Sequence, residues 1–173
     1  MRNIQFFNSP IRKQAFKTSH RRRGQAMVEM AMCVILLLTL LIGIMEVGWL
    51  VKNSNTIVNA SREGARYASL GKGAALVRAR VQSSSAPMST SVPMSPTDAD
   101  ITLQFYSGTG TPTNTDWVAW PPDSGTGTSA TNNVPFGAQL RVTVVATSSS
   151  LTGFIPALRN RRIFQYTVMR REL

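Results

Sequence analysis

One cysteine and one histidine stand in 173 residues. The lone thiol, Cys33, has no intrachain disulfide partner, and one His with one Cys cannot build a structural zinc site of three or four nitrogen and sulfur ligands. Acids are scarce as well, 8 Asp and Glu against 19 Lys and Arg, for a formal charge of +11. That excess invites a nucleic-acid reading, yet seven of the cations (Arg2, Arg12, Lys13, Lys17, Arg21, Arg22, Arg23) fall in residues 1–23, which hold no acid. Beyond the leader the balance is twelve cations to eight acids. The only histidine, His20, lies in the leader, so the remainder lacks a histidine general base and any Ser-His-Asp or Cys-His arrangement. No catalytic residue is expected, and no cofactor. Asp98, Asp100, Asp116 and Asp123 lack EF-hand spacing, which leaves no metal site expected. Gly108-x-Gly110 and Gly125-x-Gly127 sit in Thr-rich loops with no amphipathic helix following, unlike a phosphate cradle.

What is abundant is apolar and local. Met30 to Met45 reads MAMCVILLLTLLIGIM, with no charge, and the run extends to Val51 if Glu46 is tolerated. As a helix at ~1.5 Å per residue, Ala26 to Val51 spans about 39 Å, enough to cross a hydrocarbon core of about 30 Å. The run is too long for a secretory h-region and lacks an A-x-A-like site, so residues 25–51 read as one transmembrane helix. A helix apolar on all sides in a soluble core is the competing reading, but the rest of the chain offers little to surround it. Seven cations before the run and few soon after it place residues 1–24 in the cytoplasm and the rest outside. Trp49 stands at an interfacial position, and Cys33 reads as a lipid-facing or helix-packing residue. The leader itself reads as a retention and recognition signal, not a nucleic-acid arm.

Glu29 lies at the mouth of the apolar segment, where a carboxylate is costly and usually has a partner, although a hydrated interfacial Glu is the bland alternative. Gly24 precedes Gln25 directly. A cut between them would leave an amine on Gln25 four residues before Glu29, on the same side of a helix. Gly24-Gln25-Ala26-Met27-Val28-Glu29 resembles the processing site of class-IV-type prepilins. With Gly43 to Trp49 and Asn59 to Ala68 (Asn-Ala-Ser-Arg-Glu-Gly-Ala-Arg-Tyr-Ala), the segment 24–68 is similar to the TadE-like family of the tight-adherence (Flp) pilus system. Met30 stands where an aromatic is more usual.

The resemblance implies a minor pilin-like subunit of that type IV pilus, processed by prepilin peptidase and needed for assembly. It implies as partners the inner membrane, that peptidase, other pilin-like subunits (TadF-like proteins and the Flp-type major pilin) and the assembly platform, with the head periplasmic or extracellular. On that reading Glu29, Met30 and Glu46 serve helix packing, and Arg62, Glu63, Gly64, Ala65, Arg66 and Tyr67 carry the family motif. The rival is a signal-anchored surface protein whose head binds a ligand or cell-wall partner.

After Val51 the helical pattern becomes one-sided: Leu50, Ser54, Ile57, Val58, Ser61, Ala65 and Ala68 recur at three- and four-residue steps. An amphipathic continuation is expected over 52–82, with Gly71 and Gly73 as terminators of the long helix and 72–84 either prolonging it or forming a second short helix. Gly64 is expected to weaken it slightly. Arg62, Glu63 and Arg66 read either as a solvated face with one Glu63–Arg66 pair or as contacts between subunits. A Ser/Thr/Pro/Met-rich linker occupies 83–100. Three strands are expected, over 101–106, 140–147 and 162–169, with either Ile163 or Phe164 facing inward. Packing the helix on this sheet gives an α+β, pilin-like head over 101–173. The interval 107–135 reads as a mobile Gly/Thr/Pro-rich loop, in which Trp117 and Trp120 either pin it to the head or offer a contact surface.

Overall fold

The computed structural model describes residues 20–86 and 96–172. Most of the expected leader and residues 87–95 of the expected linker lie outside the described residues. The described chain forms α1 (His20–Ser69), α2 (Ala74–Ser85), β1 (Ile101–Tyr106), β2 (Val118–Ala119), β3 (Gln139–Ser148) and β4 (Arg161–Arg170), with short 3-10 turns between. Compact units divide between Leu40 and Leu41. In the first, the apolar side chains of α1, among them Met27, Met30, Ile35, Leu36 and Leu37, are exposed. Among the described residues one helix, Gly24–Ser69, is long and apolar enough to cross a membrane.

The second unit, from Leu41 onward, is an α+β head. Its four strands pair antiparallel in the order β2-β1-β3-β4, so the expected helix-plus-antiparallel-sheet class holds. β1 and β3 alternate with period two, which sends Ile101, Leu103, Leu140, Val142, Val144 and Ala146 to one buried face. Against that face lie Ile57, Ala60, Ala65 and Ala68 of α1 with Val77 and Val81 of α2. Small residues dominate the α1 face, which lets helix and sheet backbones approach closely.

The helical continuation expected over 52–82 is interrupted at residues 70–73. Gly71 takes a positive φ of 78°, the left-handed conformation that ends helices at low cost when no Cβ is present. The Gly71 N–H donates to the Ala68 carbonyl at 3.0 Å, and Asn132 Nδ2 donates to the same carbonyl at 3.0 Å. Of the two readings offered for 72–84, the second helix is the one formed.

β4 settles the open question of its facing residues. It pairs with β3 in the register Leu140↔Met169, Val142↔Thr167, Val144↔Gln165, Ala146↔Ile163, so the Ile163 set faces the helices and Phe164, Tyr166 and Val168 face outward. Ser61 and Thr167 hydroxyls meet at 2.8 Å across this interface. β2 has no counterpart among the expected strands. It pairs with β1 at Gln104↔Ala119 and Phe105↔Val118 and divides the expected loop 107–135 into two halves of different character.

Candidate functional site

The mouth of the apolar helix comes first in the chain. Gly24 lies within α1, and a Cβ added there would meet nothing within 4 Å, so its peptide is open to approach. Helical spacing of four brings Gln25 Nε2 to 3.4 Å from Glu29 Oε1. The Glu29 carboxylate therefore reaches position 25 of its own chain. Met30 is exposed beside it. No acid stands in the first turn of α1, which by sequence is basic, the wrong sign for the positive end of a helix dipole.

Glu46 is seventeen positions further on and has a different environment. It is 1% exposed. Its Oε2 accepts from the Leu151 N–H at 3.0 Å, and its Oε1 accepts from the Thr152 N–H at 2.7 Å and from the Thr152 hydroxyl. Within its own chain, the carboxylate holds the β3–β4 connection to the helix. Nothing in a sequence separation of 105 residues signals this contact. The one hint is that a carboxylate inside an apolar run needs donors.

The family-motif residues lie where α1, α2 and sheet converge. The Glu63–Arg66 pair expected from helical spacing gives way to one between helices, with Arg80 Nη2 at 2.6 Å from Glu63 Oε1 and Arg80 Nε at 3.1 Å. This contact holds the Glu63 carboxyl below its ordinary range, the Arg80 hydrogen bond being the largest cause. Arg80 also lies 5.9 Å from the Tyr67 ring. A Cβ at Gly64 would overlap Val81 Cγ2 and sit 3.4 Å from Val142 Cγ1. Gly64 is therefore a close-approach position as well as a glycine in a helix interior. Ala65 is buried in the core, while Arg62 and Arg66 are exposed.

The rear half of the loop, from Trp120 on, is sewn into the α1–α2 turn. Asp123 Oδ2 accepts from the Ala74 N–H at 2.5 Å, and Asp123 Oδ1 accepts from Trp120 Nε1 at 3.2 Å. Gly73 N–H donates to the Ala130 carbonyl at 2.9 Å, Asn132 N–H to that of Gly71 at 2.9 Å, and Val134 is buried. Trp120 packs against the core. The front half faces the outer side of the sheet, where the Trp117 ring lies 6.3 Å from Tyr106 and 4.4 Å from the Arg141 guanidinium. There Phe164 is 63% and Tyr166 54% exposed. With Arg141, Gln104 and Thr143 they line a shallow depression of about 530 Å³. The four aspartates do not gather: Asp98 accepts from Gln82, Asp100 from Thr97, Asp116 from Thr113 and Asp123 from Ala74. Among the described residues no three His, Cys, Asp or Glu side chains form a group fit for a metal ion.

The helix mouth, Glu46 and the Arg62–Arg66 string all lie within one stretch of α1. Residues 24–66 match the TadE-like protein family. The match covers about a quarter of the chain and stops three residues short of the end of α1. No curated protein and no solved structure matches the chain. The matched segment thus contains the exposed apolar part of α1 and its core residues Ile57, Ala60 and Ala65, while Ala68, α2 and the sheet lie outside it. The similarity to the TadE-like family is confined to this segment.

Proposed function

We propose that the protein is a minor pilin-like subunit of the tight-adherence pilus, anchored by one helix in the bacterial inner membrane with its leader inside. It acts by lateral helix packing and not as an enzyme. The observation that carries the reading is the Gln25–Glu29 contact at the start of an exposed apolar helix within the TadE-like segment. Prepilin peptidase cuts between Gly24 and Gln25. A peptidase needs its substrate extended, and a first helical turn rich in cations with Gly24 behind it is cheap to unwind. After the cut, the Gln25 amine lies within reach of Glu29 on its own chain or a neighbour's. Neutralising the pair lowers the cost of placing that carboxylate among other subunits' helices, in the assembly platform or the pilus, and favours one axial register.

Mass spectrometry of the N-terminal peptide of protein taken from membranes tests the processing step. A start at Gln25 is expected, and an intact Met1 start in cells with active prepilin peptidase overturns it. Glu29→Ala is expected to abolish piliation while membrane insertion persists, and normal piliation of that variant removes the proposed role. The rival reading, a signal-anchored head that binds a ligand or cell-wall partner, draws on the exposed Phe164 and Tyr166 beside Arg141 and Trp117.

A further inference from the structure

The connection between β3 and β4, residues 149–160, has a composition that a water-facing loop does not need. It holds Leu151, Phe154, Ile155 and Leu158, no acid, and at its end Arg159, followed by Arg161 and Arg162 in β4. Leu151 is 47% and Phe154 59% exposed, so the core does not claim them. Arg161 and Arg162 are exposed and form no ion pair among the described residues.

The place where this loop is fastened indicates what covers it. Leu151 and Thr152 donate their backbone N–H groups to Glu46, which fixes the loop at the level of Glu46 on α1. That residue follows directly on the uncharged run Met30 to Met45. Counted from Ala26 at ~1.5 Å per residue, about 20 residues of helix use up the ~30 Å of a hydrocarbon core. Glu46 then stands at the boundary. Ile44, Met45 and Val47 around it are exposed and apolar. Trp49 and Lys52 stand three and six residues beyond Glu46, with the Lys52 ammonium 4.7 Å from the Trp49 ring centre, an aromatic and a cation at the depth where membrane proteins place both.

We propose that the 149–160 loop is a second membrane contact of the head: Leu151 and Phe154 enter the interfacial zone of the leaflet beside the C-terminal end of the apolar helix, and Arg159, Arg161 and Arg162 face its anionic headgroups. Apolar side chains with a basic rim are what an interfacial element requires. Glu46, saturated by its donors, fixes the loop at that depth without presenting a free carboxylate to lipid. The proposal rests on the single-span reading of α1.

The test uses the full chain carrying Cys33→Ser, with one new cysteine at a time, Leu37→Cys, Leu151→Cys, Phe154→Cys or Thr111→Cys, each labelled with an environment-sensitive fluorophore. Each is reconstituted in phosphatidylglycerol/phosphatidylethanolamine vesicles containing lipids brominated high in the acyl chain for positions 111, 151 and 154, and near the chain end for position 37, which by the same count lies at mid-bilayer. Labels at 37 and 154 are expected to shift to the blue and lose more than about half their emission to the bromines matched to their depth, as groups buried in the bilayer do. The label at 111, beyond the opposite end of the sheet, should emit as in water. Position 151 replaces 154 as the deciding site should circular dichroism show that Phe154→Cys unfolds the head. Quenching at 37 with water-like emission at the deciding site overturns the loop contact and leaves the span standing. Loss of quenching at 37 overturns the span and the loop contact together, and equal quenching at 111 and 154 overturns the specific placement.

Discussion

Gly64 shows how a single position carries two opposed energies. Glycine costs a helix interior about 1 kcal/mol relative to alanine, so on propensity Gly64→Ala should stabilise α1. The overlap of the new Cβ with Val81 Cγ2 acts the other way, since overpacking a tight core costs about 1–3 kcal/mol. Gly64→Ala is expected to lower the stability of the head, read by denaturant unfolding in detergent. In a Val81→Ala background the same change should become neutral or stabilising, and a penalty unchanged by Val81→Ala would refute the close-contact explanation. Glu46 offers a second case. Glu46→Ala leaves the Leu151 and Thr152 N–H groups without their acceptor, and an unmet, partly buried donor disfavours the closed loop. Trypsin should then cut faster after Arg159 and Arg161, with Glu46→Gln intermediate because an amide oxygen still accepts. Equal cutting of all three proteins would remove the anchoring role.

The elements were legible in the sequence to unequal depth. β1 and β3 alternate cleanly because one of their faces is fully buried, and both fell within a residue of their expected bounds. β4 could be placed but not oriented, because its inward residues Gln165 and Thr167 are more polar than the outward Phe164 and Tyr166. Hydrophobic alternation points the wrong way when an edge strand buries hydroxyls and exposes rings. β2 left no trace, since two residues have no period. The Gly24–Glu29 mouth could be read because its contact is local, four residues apart, whereas Arg80, Asp123, Asn132 and Thr152 act over separations that no short pattern encodes. Two of those distant contacts can be tested on their own elements. Asp123→Ala removes the acceptor for the Ala74 N–H at the start of α2, and loss of a helix-start acceptor costs about 0.5–2 kcal/mol, measurable by denaturant unfolding with the loss confined to folding and not to membrane insertion. The α1–α2 ion pair is read through pH. Arg80 lowers the folded-state pKa of Glu63 from the ordinary 4.5, so its contribution is present above about 4.5 and disappears as pH falls through the lower folded value. The pair is partly exposed and its share is small. The stability gap between the natural protein and Glu63→Gln should therefore be present at neutral pH and close below 4.5, and a gap constant across that window would contradict the assignment.

For the whole molecule, the division of 107–135 decides how the two functional readings can be separated. Deleting the entire interval is the obvious experiment on the sequence alone, since it appears as one dispensable loop. The structure makes that deletion uninformative: it would remove the Asp123 acceptor, the Asn132 amide that caps α1, and buried Val134, and an unfolded head neither assembles nor binds. The front half is different. Residues 107–116 join β1 to β2 on the exposed side, and their contacts are chiefly their own, as where Asp116 accepts from the Thr113 N–H at 2.7 Å. With Phe105 paired to Val118, the strands are already in register for a two-residue Asn-Gly turn in place of Ser107–Asp116. Loop shortening changes closure entropy only slowly with length, so the head should keep its stability within about 1 kcal/mol. Trp117 remains, and Phe164→Ser with Tyr166→Ser in the same chain then strips the outer face of its exposed rings without touching the inner one. If the protein works by packing its helix among other pilin-like subunits, piliation should survive both changes. A head that recognises a ligand or cell wall through this face should lose attachment while pili still form, so piliation and surface adhesion scored separately in one strain distinguish the two.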